Sequence, residues 1–463
     1  MAPQTDKRVE VNASPAKAFF VEMITRDIEL QDAILDLLDN CIDGIRRIGK
    51  TRGSHPYQGF YAKITFSKDA FVIEDNCGGI PFDIAQKYAF MMGRPAQYKN
   101  GKEGTIGVYG IGMKRAIFKM GRSCVVLSHT QAKTFEVEIT KEWLDDDKNW
   151  TLEARSVKKE LKAHGTRIEI RDLHKVVRNE FSDGSEFRID FLAVVRNAYS
   201  FLLEKGFTVE VNGDKVKPKI PSLLWDKSEA AGALRPYIYR AELLGVEVFL
   251  AVGFRERADT PSDEETEAKP KYSSEDAGWT IVCNDRVTLP YDKGRQTGWG
   301  WGGVPSYHNQ FIGITGFVFF DGHPSDLPMT TTKRGVDANS DVYTIVREKM
   351  QSGVKHFIRF TNEWKGFDVG GVFKKVAPIA IPEIERLVAK GKIQLHSVRG
   401  EGRQEQSVPD LPESPREVTD KRISFVRPVK EIRRVSKWLF EKEDRRPSEV
   451  GGECFDFVLR KTS

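Results

Sequence analysis

The 463-residue sequence has no run that approaches the roughly 18 apolar residues of a membrane-spanning helix, so none is expected. Its opening, MAPQTDKRVEVN, carries no apolar stretch of the kind that directs secretion. CxxC spacing is missing. Cys41, Cys77, Cys124, Cys283 and Cys454 are scattered and odd in number, which argues against a zinc site or a disulfide framework. The expected setting is the reducing cytoplasm. Charge of one sign is not in excess either. A net charge of +5 permits contact with nucleic acid without arguing for it. Internal repeats and a metal-nuclease motif are also absent. What is present is 40% hydrophobic and 30% charged residues in a chain too long for one ordinary core.

One stretch organises the rest. Leu30 to Arg47, LQDAILDLLDNCIDGIRR, read at about 100° per residue, places Leu30, Ile34, Leu37, Leu38, Cys41 and Ile45 on one side. Asp32, Asp36, Asn40, Asp43 and Arg47 stack along the other. A row of short acids around one Asn suits a magnesium–phosphate site, because Mg²⁺ takes hard oxygens and only one or two from protein. Taken alone, a solvated amphipathic helix explains the same pattern.

In chain order, Ser14-Pro15 reads as a helix start and the helix runs through Glu22. Tyr61 to Phe66 and Ala70 to Glu74 read as a strand pair around Ser67-Lys68-Asp69. Pro81 to Met92 is predicted helical, and Gly93 to Gly107 is a long glycine-bearing loop with Arg94, Lys99 and Lys102. A helix is predicted over Met113 to Met120 with Gly121 as its C′ residue. Strands follow at Ser123 to Ser128, Phe135 to Ile139 and Thr166 to Ile170, then a helix over Phe187 to Glu204 and a hairpin around Asn212-Gly213. A second unit has strands at Tyr237 to Ala241, Val246 to Val252, Trp279 to Cys283 and Gly313 to Phe320, and a helix from Asp341 to Phe360. Thr260 to Asp276 reads as a mobile insertion, Leu395 to Lys421 as a linker, and Ile423 to Arg460 as a helical appendage. The expected domains are 1–216, 217–365, a linker with a short helix over 366–421, and a small helical region at 422–463.

Four motifs then fall in one order: D-L-L-D-N-x-x-D at Asp36 to Asp43, D-N-C-G-G-I at Asp75 to Ile80, G-V-Y-G-I-G-M-K at Gly107 to Lys114, and H-G-T-R-I-E-I at His164 to Ile170. Each has a physical role. Gly107, Gly110 and Gly112 let backbone N–H groups approach a triphosphate, at the favourable end of a helix dipole. Lys114 adds a point charge. Asp75, after an apolar strand, can accept the exocyclic N–H of an adenine that lies against Gly79, with Thr166 adding a hydroxyl or a water bridge. Plain alternatives exist for each: a tight glycine turn, an Asp capping its own turn, an ordinary strand threonine.

Together these elements resemble the N, G1, G2 and G3 boxes of the GHKL ATPases, the group of gyrase, the large ATP-dependent heat-shock chaperones, histidine kinases and MutL. Asp36-Leu37-Leu38-Asp39-Asn40 and the glycine motif are similar to the MORC branch, and Ile170 to Leu173 is similar to MutL. The resemblance covers about the first 210 residues. It implies an α/β fold: a Bergerat-fold α/β sandwich, followed by an α+β transducer-like domain (ribosomal-protein-like βαβ) and a small helical tail. It implies ATP and Mg²⁺ as cofactors, with Mg²⁺ on Asn40. It carries nucleotide contact to Asn40, Asp43, Asp75, Gly79, Ile80, Gly107, Val108, Gly110, Ile111, Gly112, Met113, Lys114 and Thr166, and makes Gly93 to Gly107 a lid.

Two positions depart from the family pattern. Asp36 stands where the family's general base is Glu, which keeps a carboxylate but shortens it by a methylene. Asp39 is the alternative base, although it points off the row. Cys77 stands where the adenine motif usually has Gly. In the second unit, Leu327 to Asp337, LPMTTTKRGVD, is similar to the MORC-type segment whose lysine returns to the γ-phosphate. That role falls on Lys333, with Arg334 as the neighbouring alternative. Lys293 to Gln310 interleaves basic and aromatic residues, which fits DNA contact, docking on a partner subunit, or packing on its own domain. The resulting expectation is a slow Mg²⁺-dependent ATPase that homodimerises on ATP binding and clamps DNA or nucleoprotein in repair or anti-phage defence, with any cutting left to a separate nuclease or effector partner. A chaperone-like ATPase acting on protein clients, and an ATP-binding switch with negligible hydrolysis, are the alternatives. A histidine kinase and a type II topoisomerase are disfavoured, for want of a phosphoacceptor helix and of a DNA-cleavage domain.

Overall fold

A computed structural model describes residues 16–49, 53–93, 110–158, 161–228, 232–256, 274–330, 332–365, 367, 369–400, 402–415 and 423–462. The chain divides into two compact units, Met1–Ser414 and Pro415–Ser463.

The first unit holds two large sheets. Tyr61–Phe66 (β1) and Phe71–Asp75 (β2) pair antiparallel, turned by Ser67 N–H donating to the Ala70 carbonyl at 2.9 Å. Gly121–His129 (β3), Thr134–Ile139 (β4), Ala154–Ser156 (β5), Gly165–Leu173 (β6), Thr208–Val211 (β7) and Asp214–Lys215 (β8) complete a sheet in the order β5-β4-β3-β6-β2-β1-β7-β8. The β1–β7 pair is parallel. The helices Lys17–Thr25 (α1), Leu30–Arg47 (α2), Phe82–Ile84 (α3) and Gly112–Met120 (α4) accompany it.

The periodicity of α2 is realised in its packing. Ile34, Leu37, Leu38, Cys41 and Ile45 join one core with Ala62 and Ile64 of β1, Phe71 and Ile73 of β2, and Ile168 and Ile170 of β6. Each Leu, Ile or Phe among them contributes about 1.5–3 kcal/mol over exposure. The opposite face is solvated only in part: Asp36 and Asp43 are buried and Asn40 is exposed, while Leu35, Asp39 and Ile42 are buried between the two faces.

Several local expectations are corrected. The stretch Pro81 to Met92 is helical over 82–89 only, where α3 runs directly into a π-helical turn, Ala85–Ala89. Gly121 is not a left-handed C′ residue but extended, at φ −163°, and starts β3 directly. There Arg171 and Asp172 carbonyls crowd its missing Cβ, at 2.6 and 3.1 Å. The predicted helix Phe187 to Glu204 is two, Phe187–Ala198 and Ser200–Glu204, broken where Tyr199 turns its hydroxyl to the Leu35 carbonyl at 3.0 Å. Ser14-Pro15 and most of the predicted insertion Thr260 to Asp276 lie outside the described residues.

The second sheet contains Tyr237–Leu243 (β10), Val246–Phe254 (β11), Gly278–Cys283 (β12), Arg286–Asp292 (β13), Ile314–Asp321 (β14), His396–Ser397 (β16) and Arg403–Ser407 (β17), ordered β13-β12-β14-β11-β10-β17-β16. Ser222–Trp225 (β9) pairs separately with Ala377–Ala380 (β15). Helix Asp341–Glu363 covers one face through Val346, Met350 and Phe357, and helix Ile381–Ala389 covers the other through Ile381, Ile384 and Val388. Within 366–421, expected as a linker with a short helix, the described residues supply that helix and also two paired strands, β15 against β9 and β17 in the second sheet. Strand β17 pairs antiparallel with β10 from Ile238↔Ser407 to Glu242↔Arg403. The Lys293 to Gln310 loop packs on its own unit: Trp299 is buried, and Arg347 stacks 4.4 Å from the Trp301 ring centroid.

The second unit consists of helices Val429–Phe440 and Pro447–Thr462, with the Trp438 and Phe457 rings edge-on at 5.4 Å. Among the described residues no helix is long and apolar enough to cross a membrane.

Candidate functional site

One cleft lies between α2, α4 and the first sheet, and it collects residues from all four motifs. Asp36, Asn40, Asp43, Asp75, Gly79, Ile80, Gly110, Ile111, Gly112, Met113, Lys114, Thr166 and Lys333 line it. Gly107 and Val108, and the expected lid apart from Gly93, lie outside the described residues. The empty space of the cleft is about 1360 Å³, part of it open solvent.

Its floor is built around Asp75, at the C-terminal end of β2. The carboxylate is buried, and its Oδ1 accepts the N–H of Cys77 at 2.7 Å and of Thr166 at 3.3 Å. Oδ2 meets the Cys41 thiol at 3.7 Å, a weak donor that leaves the oxygen able to accept a stronger one. Burial pushes the Asp75 carboxyl up to about 6, against the opposing pull of the Cys77 and Thr166 N–H groups. Thr166 thus reaches Asp75 through its backbone. The turn after Asp75 needs glycine. Gly78 and Gly79 have φ of +96° and +74°, and a Cβ on Gly79 would stand 2.6 Å from the His129 carbonyl oxygen. Cys77 fits beside them because its side chain is buried in the core.

The opposite wall is the start of α4. Gly110 has φ +66°, and a Cβ on Gly112 would touch the Asp36 carboxyl carbon at 3.3 Å. Lys114 is buried, and its ammonium donates to the carbonyls of Ala89, at 2.8 Å, and Gly110. Its partners among the described residues are carbonyls, and burial pushes its ammonium down to about 7. Arg47 donates to the Gly79 carbonyl at 2.9 Å, tying α2 to the adenine-motif turn.

Asp36 faces the cleft between two cations. Arg115 donates to its Oδ2 through both Nε, at 3.0 Å, and Nη2, and Lys333 donates to its Oδ1 at 3.3 Å. The second sheet's loop thus reaches the cleft. Lys333 also donates to Asp39 Oδ2 at 2.6 Å, and Arg334 pairs with Asp32. Asp39 is wholly buried and accepts from Arg286 Nε at 2.8 Å and from the Tyr199 hydroxyl. These cations hold its carboxyl below the usual range despite burial. Sequence reasoning noted that Asp39 leaves the row. Nothing in the sequence signals that Asp39 is a hub with Arg286, or that Arg115 pairs with Asp36.

Asn40 is exposed on the cleft wall beside these carboxylates. Among the described residues no three His, Cys, Asp or Glu side chains gather to hold a metal by themselves. The donor set fits Mg²⁺ that takes one amide oxygen from protein and the rest from phosphate and water.

Residues 28–166 match the model of the family described as histidine kinase-, DNA gyrase B- and HSP90-like ATPase. The match supports a GHKL-type ATPase domain in this segment, and with it ATP binding. The rest of the chain lies outside it. No curated protein matches the chain.

Proposed function

We propose that the protein binds ATP with Mg²⁺ in this cleft and hydrolyses it slowly to ADP and phosphate. The observation that carries this is the convergence of four separated motifs, and of Lys333 from the second sheet, on one cleft. In this reading Asp75 accepts the exocyclic amine of adenine, and the purine lies against Gly79 and Ile80. The N–H groups from Gly110 to Met113 face the phosphates, and the resemblance gives Gly107 and Val108 the same role. Lys114 and Lys333 neutralise phosphate charge. Asn40, with Asp43 near it, holds Mg²⁺, which supplies charge neutralisation at the phosphates. Asp36 orients and deprotonates the attacking water, a role worth about 10²–10⁴-fold.

The second sheet and its lysine loop then act as the transducer, and residues 93–107 as the lid. Lid closure drives homodimerisation, and the dimer clamps DNA or nucleoprotein. One observation favours a second reading, an ATP-binding switch with little turnover: Asp36 is paired with both Arg115 and Lys333, which ties up the base.

Turnover measured with and without duplex DNA across a salt series tests the reading. The clamp predicts slow Mg²⁺-dependent hydrolysis that DNA stimulates, with stimulation falling steeply as salt rises. Binding without turnover would leave only the switch.

A further inference from the structure

The hairpin between β12 and β13 is seated in the first sheet's territory with unusual completeness. Its turn residues Asn284 and Asp285 both have left-handed φ, +51° and +68°. Arg46, at the end of α2, donates to the Asn284 carbonyl at 2.9 Å. Tyr57 and Lys205 donate to the Asp285 carboxylate at 2.8 and 2.6 Å. The next residue, Arg286, is thereby fixed in register beneath α2.

Arg286 closes a ring. Its Nε donates to Asp39 Oδ1 at 2.8 Å, and its Nη1 donates to the backbone carbonyl of Lys333 at 3.2 Å. The Lys333 ammonium returns to Asp39 Oδ2 at 2.6 Å. Lys333 itself sits at φ +57°, a conformation uncommon outside glycine that its surroundings must hold. The guanidinium fork helps to hold it, beside the Lys333 N–H that donates to the Thr330 carbonyl at 2.9 Å, since one rigid group grips the carboxylate and the lysine's own carbonyl together. All three residues are buried.

We propose that Arg286 is a positioning residue for Lys333: it holds the lysine loop in the strained conformation that aims the ammonium at the terminal phosphate, with Asp39 as the resting acceptor that the phosphate replaces. This rests on the nucleotide reading of the cleft. Arg286 touches no nucleotide, and its effect passes wholly through Lys333. Lysine at position 286 would keep a charge for Asp39 but replaces the fixed two-pronged fork with a single point donor, which loosens the hold on the Lys333 carbonyl.

The test is calorimetric binding of Mg·ADP and of a non-hydrolysable Mg·ATP analogue to the full chain, as wild type, Lys333→Ala, Arg286→Lys and the double variant. The preference for triphosphate over diphosphate reads the Lys333 contact, and ADP affinity reads the fold and the rest of the site. Arg286→Lys is expected to cut the preference by about tenfold, a typical coupling, while ADP affinity stays within about twofold. In the Lys333→Ala background it should have no further effect. Retained preference in Arg286→Lys, an equal loss of ADP affinity, or losses that multiply in the double variant would each overturn the positioning role. Wild type that binds neither nucleotide would instead overturn the reading of the cleft, and wild type without any triphosphate preference would overturn the role of Lys333.

Discussion

At the scale of single residues, the cleft keeps two ionisable groups against their solvation preference. Asp75 has a folded pKa of about 6, above its ordinary value of 3.8. The folded protein therefore holds a proton on Asp75 more tightly than the unfolded chain, and stability falls as pH rises through that window. Above about pH 6 the whole penalty is present. Asp75→Asn should then stabilise the nucleotide-free protein at pH 7.5 by about 1–3 kcal/mol, read by chemical denaturation, because Asn keeps an oxygen for the Cys77 and Thr166 N–H groups. The same change should abolish adenine binding, since an amide nitrogen replaces an acceptor. Lys114 is the converse case. With a pKa of about 7 it is mostly neutral at pH 8, and phosphate alongside it restores the charge. ATP binding at pH 8 should take up close to one proton, seen as a dependence of the binding enthalpy on buffer ionisation enthalpy, and Lys114→Met should remove it.

At the scale of elements, α2 was legible in its periodicity and in its polar row. Asp36, Asn40 and Asp43 line the cleft that the row suggested. The glycine motifs were legible for a physical reason too: left-handed or crowded backbone leaves few other residues available. Gly79→Ala adds a Cβ at 2.6 Å from the His129 carbonyl, whereas Gly213→Ala, at φ +89°, meets nothing within 4 Å. The first should cost clearly more stability than the roughly 1–2 kcal/mol expected of left-handed strain in the second, by denaturant midpoint at equal slope. What stayed hidden was Asp39. Its partner Arg286 lies 247 residues away, and an acid on a helix and an arginine after a turn carry no local sign of each other. Strand β17 stayed hidden because RQEQS lacks apolar alternation. Its fit comes from Gln404 and Gln406, which accept the hydroxyls of Tyr239 and Tyr237 at 3.0 Å.

At the scale of the molecule, the two sheets of the first unit are joined at the cleft itself. Arg286 of β13 and Lys333 and Arg334 of the loop after β14 meet Asp32, Asp36 and Asp39 of α2, the helix that packs on the first sheet. A ligand that draws Lys333 away from Asp39 alters that junction, which is how occupancy could be felt at a distance. The boundary of this unit is also testable. A chain ending after Ser414 should melt as the full protein does at the first unit, while one ending after Gly402 leaves β10 with an unpaired edge and should melt lower and aggregate. In the proposed function the cleft binds ATP through magnesium on Asn40. Calorimetric titration of ATP into wild type and Asn40→Ala, with Mg²⁺ and with chelator, is the most direct test. Binding that requires Mg²⁺ in wild type and is lost in Asn40→Ala is the expected result; ATP binding unchanged by the chelator or by the loss of Asn40, or none in wild type, would contradict it.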